Sequence, residues 1–174
     1  MEQGFFPQLR RAVGGVGVIR RQQRIEWIAA VEKEYRAAKS AADLLATTLK
    51  DDPNYGETHG WEARYGVAFR ANLESTYMVR LYAEFEAGLR DYWANHLNRT
   101  THPPMVQLLP SVADQRISMD HLDDADAVRE YRNFLVHDDS SDPPPDMRTF
   151  TVEEAKSHLC YFFGRLDPDW KKRN

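Results

Sequence analysis

The sequence predicts an all-α fold, an up-down four-helix bundle formed by a single domain over residues 1–174. Three observations carry that expectation. Apolar residues recur three and four apart in four separate segments. No stretch of useful length alternates apolar and polar side chains as a half-buried strand would. Prolines and acidic turn residues separate the periodic segments, which suits long helices joined by connections.

The first helix is expected from Gln22 to Lys50. Ile25, Ile28, Val31 or Glu32, Tyr35, Ala38, Ala42, Leu45 and Leu49 form its stripe, and alanines and charged residues fill the other faces. Asp51-Asp52-Pro53-Asn54-Tyr55-Gly56 ends it as a loop. The second helix runs from about Asn72, or from an earlier residue, to His96, with Met78, Leu81, Tyr82, Phe85, Leu89 and Tyr92 as its apolar face. Glu86 falls at the edge of that face and needs a partner, while Glu84 points nearly opposite, toward solvent. Residues 98–119 carry Pro103, Pro104 and Pro110 and read as irregular, with a short helix over Val106–Leu109. The third helix spans Asp120 to His137 on Leu122, Ala125, Val128, Tyr131 or Arg132, and Leu135. Asp138 to Pro145 stops it, because three consecutive prolines cannot continue a helix. A last helix starts at Thr151, where Thr151 and Glu154 have capping-box spacing, and it buries Ala155, Leu159, Phe162 and Phe163. Residues 1–20 form a loosely packed N-terminal segment and residues 166–174 a basic tail. The run Gly14-Gly15-Val16-Gly17-Val18 lacks the downstream Gly-Lys-Ser/Thr of a phosphate loop.

Composition narrows the function. With 174 residues, 42% hydrophobic and 29% charged, the chain can bury a real core. A net charge of −4 excludes a broad basic surface for long nucleic acid but leaves room for a small site of convergent cations. One cysteine, Cys160, precludes an intramolecular disulfide framework and a cysteine-cluster metal site, and its apolar surroundings suggest a buried thiol. His102 and His121 lie without ligand partners at metal spacing and read as exposed histidines. No cofactor and no metal are expected. No apolar run is long enough to span a membrane and no signal-peptide pattern opens the chain, so the expected compartment is the cytoplasm.

The chemistry concentrates in Tyr131-Arg132-Asn133-Phe134-Leu135-Val136-His137-Asp138. On a helix Asn133 and His137 share a face, and Arg132 sits about 100° round from Asn133 at its edge. One helix end thus offers an imidazole that titrates near neutral pH, an amide, and a permanently charged guanidinium whose fork fits phosphate oxygens.

Arg132-Asn133-x-x-x-His137 resembles the Arg-x4–6-His signature of the HEPN superfamily, many of whose members are small, all-helical, metal-independent ribonucleases. The resemblance covers roughly residues 72–165 and is specific only over Arg132 to His137. Leu81-Tyr82-Ala83-Glu84-Phe85-Glu86 resembles the aromatic-Glu pair on the second helix of several HEPN families. It implies an endoribonuclease, a toxin or defence effector, that cleaves RNA by 2′-hydroxyl attack. His137 would be the acid or base, Arg132 the phosphate clamp and Asn133 the orienting residue. Glu86 would support the site, most simply as a salt bridge to Arg132. It further implies a symmetric homodimer in which two copies of residues 132–137 meet, and an antitoxin or other partner protein. The position two after His137 is Asp139, so the tyrosine modification of one HEPN subset has no acceptor there. The alternative is a non-catalytic HEPN-like module that serves as a protein-interaction scaffold.

Overall fold

The computed structural model describes residues 21–113, 116–137 and 142–168. The expectations for residues 1–20, for the acidic run 138–141 and for the tail beyond residue 168 lie outside the described residues. Every regular element among those described is helical. No described helix is long and apolar enough to cross a membrane.

Helix α1 spans Arg21–Asp51, within one residue of the expected limits at each end. A short helix α2, Pro53–His59, follows where a loop was expected. The local chemistry explains it. Asp52 accepts a hydrogen bond from the Asn54 backbone N–H, Pro53 occupies the first helical position, and Gly60 closes the helix at φ 67°. Helix α3 spans Ala63–Asp91 and starts nine residues before the expected Asn72. From Arg64 to Asn72 it buries only Gly66, so no apolar stripe marks those turns in the sequence. A π-helical turn, Tyr92–His96, extends α3, with the Leu97 N–H bonded to the Tyr92 carbonyl. That turn stacks the His96 and Tyr92 rings with centroids 4.7 Å apart.

Helix α4, Met105–Val112, is the expected short helix, longer than foreseen and containing Pro110. Helix α5, Met119–His137, ends at the expected residue. Helix α6, Val152–Arg165, carries the full capping box. Thr151 Oγ1 accepts from the Glu154 N–H at 3.2 Å, and Glu154 Oε2 accepts from the Thr151 N–H at 2.9 Å. The chain after α6 does not become a free tail at once, because Leu166 is buried and Asp167 lies beside Arg116.

Helices α1, α3, α5 and α6 share one core. The most extensive packing is α1 on α3, with α6 against α1, α3 and α5, and α5 against α3. Phe85 of α3 anchors it, meeting Phe162 and Phe163 of α6 edge-on at 5.6 and 4.9 Å. Helix α6 runs back along the first half of α1. Arg21 donates to the carbonyls of Gly164 and Leu166, while Glu153 sits opposite Arg36.

Candidate active site at the end of helix α5

Helix α5 buries only Ala125 and Val128, so it lies on the others with a narrow contact line. Its last two turns therefore expose polar groups. His137 is the final helical residue and is exposed, with no hydrogen bond or ion pair among the described residues. Val136 beside it is also exposed.

Arg132 is half-buried. Its Nη1 donates to Asn133 Oδ1 at 3.0 Å, and its guanidinium carbon stands 5.7 Å from the Tyr82 ring centroid. Its Nε is buried without a hydrogen-bond partner, and no carboxylate pairs with it among the described residues. Most other described arginines are tied to acids, as Arg24 is to Asp91, Arg90 to Glu86, and Arg129 to Asp126 and Glu130. Arg132 thus retains binding capacity that its neighbours have already spent. Asn133 holds Arg132 rather than His137, so its orienting role falls on the guanidinium.

Glu86 does not meet Arg132. It accepts from Nε and Nη2 of Arg90, one turn further along α3, at 2.9 and 2.6 Å. Arg90 also donates to the Pro103 carbonyl, which ties the connection after α3 to the helix. Glu86 satisfies its need locally, and the expected cross-bundle pair is replaced by an i,i+4 pair. Glu84, expected in solvent, is half-buried with Arg24 Nη1 3.8 Å away.

Sequence reasoning assigned Tyr82 to the core and missed its place in the site. The ring is buried and its hydroxyl has no hydrogen-bond partner among the described residues. Burial drives its pKa well above the usual phenol range; the charges of Glu86 and Asp126 add to that rise, and Arg129 and Arg132 oppose it. Tyr82 is therefore a neutral hydroxyl and a flat wall under Arg132. It sits in a continuous apolar stripe, so only packing against α5 distinguishes it.

The other candidates resolve differently. His102 is exposed, as expected. His121 is half-buried, stacks on Tyr161 at 4.1 Å and bonds Ser118, so it is not a solvent-facing histidine. His158 donates from Nδ1 to Asp124 at 2.9 Å, and Arg148 bridges both residues. Burial opposes ionisation of Asp124, but Arg148 and His158 outweigh it and hold the carboxyl below its ordinary range. Burial pushes the Cys160 thiol up to about 11. Among the described residues no three His, Cys, Asp or Glu side chains group as metal ligands.

Compared with protein families, with curated proteins and with solved structures, the chain finds no match. The chemistry of the site therefore stands on its own residues.

Proposed function

We propose that the chain is a HEPN-type endoribonuclease built on an up-down helical bundle, acting in the cytoplasm as a toxin or defence effector without a metal. One observation carries the reading: an exposed imidazole ends α5, five residues after a guanidinium, and among the described residues the imidazole has no partner and the guanidinium no acidic one. His137 takes the proton from a ribose 2′-hydroxyl, and the 2′-oxygen attacks the adjacent phosphorus. The bond to the 5′-oxygen breaks, that oxygen leaves with a proton, and the products are a 2′,3′-cyclic phosphate and a 5′-hydroxyl. Arg132 binds the non-bridging phosphate oxygens, whose charge grows in the transition state, and Asn133 fixes its orientation. Two-fold pairing through this end of α5 supplies a second imidazole for the leaving oxygen and a second guanidinium. It concentrates positive charge in a protein of net charge −4.

The rival reading, a non-catalytic module that binds an antitoxin or other protein, draws on the half-burial of Arg132 against Tyr82, a position that structure alone could explain. Incubating the pure protein with total RNA in EDTA separates the two. We expect cleavage with cyclic-phosphate ends, and an about 10²–10⁴-fold loss in His137→Ala with its melting temperature nearly unchanged. Parent-like cleavage by His137→Ala, or activity that needs added magnesium, would remove the ribonuclease mechanism.

A further inference from the structure

Beyond Arg36 on α1 and Tyr77 on α3 the two helices continue as a hairpin joined by α2, away from the α6 N-terminus and its Glu153–Arg36 contact. One flank of that hairpin is apolar. Trp61, Tyr65 and Phe69 are 50, 55 and 47% exposed. They line an open concavity of about 430 Å³ together with Leu45, and Phe69 continues it into a second of about 260 Å³ beside Ala38 and Tyr77.

The flank is separate from the candidate active site. On α3 the face of Tyr65 and Phe69 runs on through Asn72, Thr76 and Arg80. Tyr82 and Phe85, which meet α5 and α6, lie about 160–220° round the helix from Phe69. Trp61 is also held in place. Its backbone N–H donates to the Gly56 carbonyl at 2.7 Å, and a Cβ on Gly56 would stand 2.6 Å from the Trp61 carbonyl oxygen, so the two backbones are closely apposed there.

We propose that this flank docks a second copy of the chain, hairpin against hairpin, across a two-fold axis. Three features select that occupant. First, the flank holds projecting rings directly beside a concavity that can receive rings, so it is complementary to itself, as an isologous contact requires. Second, its rim is neutral. Arg64 pairs with Glu62 at 2.8 Å and Arg80 with Glu34 at 2.7 Å, so two identical faces approach without net repulsion. Third, the area is of the right order. Half-exposed aromatic side chains present about 100 Å² each, so the three rings alone offer about 300 Å². A standard interface takes about 800 Å² per partner, a little over half of it apolar, so the rings cover more than half of that apolar share, and the half-buried Ala38, Leu45 and Tyr77 border them. Two bare helical pairs then make a four-helix layer of the kind α5 and α6 complete elsewhere in the chain. The contact does not depend on the ribonuclease reading, and it leaves residues 132–137 open.

Sedimentation of the full chain tests it, with Phe69→Glu, the double variant Tyr65→Glu/Phe69→Glu, and Val67→Glu. Val67 is 69% exposed but lines the other flank with Tyr35 and Glu74. All are solvent-facing helix positions where glutamate is tolerated, and circular dichroism checks that each variant folds. We expect the parent to be larger than a monomer at about 100 μM. Phe69→Glu should halve the mass or raise the dissociation constant at least about 30-fold, as removal of an interface anchor does. Val67→Glu should match the parent. A parent tetramer halved to a dimer indicates that the pairing through α5 also exists; a parent dimer reduced to a monomer indicates that it does not, and both support this contact. A monomeric parent overturns it, including one in which the rings are covered by another occupant such as residues 1–20. So does an oligomer that survives the double variant, or one that Val67→Glu breaks equally.

Discussion

The two halves of the α1–α3 pair are built from the same helices and have opposite fates. In α1 from Arg21 to Arg36, Ile28, Val31 and Tyr35 are buried; past Tyr35 only Ala42 is. In α3 from Tyr77 to Asp91, Met78, Leu81, Tyr82, Phe85 and Leu89 are buried; between Arg64 and Thr76 the one buried apolar side chain is Leu73. The difference is not one of helix length or propensity, since both helices run on without a break. It lies in whether a third and fourth helix reach that level. Where α5 and α6 lie alongside, the pair is a core. Where they stop, the described residues form a two-helix layer with aromatic side chains exposed on one flank. Helix formation and core formation are distinct events, and a helix persists beyond its core when one neighbour is enough to support it.

The contrast can be broken by substitution, and the largest effect should come from equivalent aromatics. Phe85→Ala removes a fully buried ring between Phe162 and Phe163 and should cost about 3–5 kcal/mol. Phe69→Ala removes a half-exposed ring and should change the stability of dilute protein by less than about 1 kcal/mol. Urea unfolding of both variants checks this, and equal costs would show that the hairpin flank is as well packed as the core.

A smaller effect should separate two glycines of α3. A Cβ on Gly88 would stand 2.5 Å from Phe163 Cζ and 3.2 Å from Arg24 Cδ. The buried Phe163 ring cannot give way, so Gly88→Ala should destabilise by about 1–3 kcal/mol through overpacking. A Cβ on Gly66 meets only the end of Leu49, at 3.1 Å, which can rotate aside. Gly66→Ala should therefore be neutral or stabilise by up to about 1 kcal/mol through helix propensity. Thermal melts should show a lowered midpoint for Gly88→Ala and an unchanged or raised one for Gly66→Ala.

The smallest effect is electrostatic. Asp124 bridges α5 to α6 and the preceding loop through His158 and Arg148, and its carboxyl is held below its ordinary value of 3.8. Its contribution is complete above that ordinary value and is lost as pH falls through the lower folded value. Asp124→Asn should cost about 0.5–1 kcal/mol at pH 7, and the gap to the parent should close in acid below 3.8. Glu62→Gln at the hairpin tip, whose partner Arg64 is 71% exposed, should show no measurable gap at any pH. A gap for Asp124→Asn that widens in acid would reverse the sign and reject the assignment.

Much of this was legible in the residues because it depends on near neighbours. The limits of α1 and α5, the capping box at Thr151 and the placing of His137 in the last turn of a helix follow from apolar period, caps and prolines, all of which act within a few residues. The helix α2 was legible in principle, since Asp52, Pro53 and Gly60 are its own start and stop residues, but its seven residues are too few to show a period. Partner choice was not legible. Glu86 had two arginines that could answer it, and the one on its own helix is nearer by construction than Arg132, so the cross-bundle pair did not form. A start of α3 before Asn72 was left open but not located, because Tyr65, Val67 and Phe69 are apolar yet exposed, and a stripe appears in a sequence only where burial has selected it.

The sequence by itself thus determined the helical class and the helix that ends on Arg132-Asn133-x-x-x-His137, because hydrogen bonds, caps and periodicity are local. Only tertiary structure decided that Tyr82 lies under Arg132, that Asn133 engages the guanidinium, and that neither α5 nor α6 reaches the hairpin tip. Those outcomes depend on which helices reach which level, a matter of distances between residues far apart in the chain.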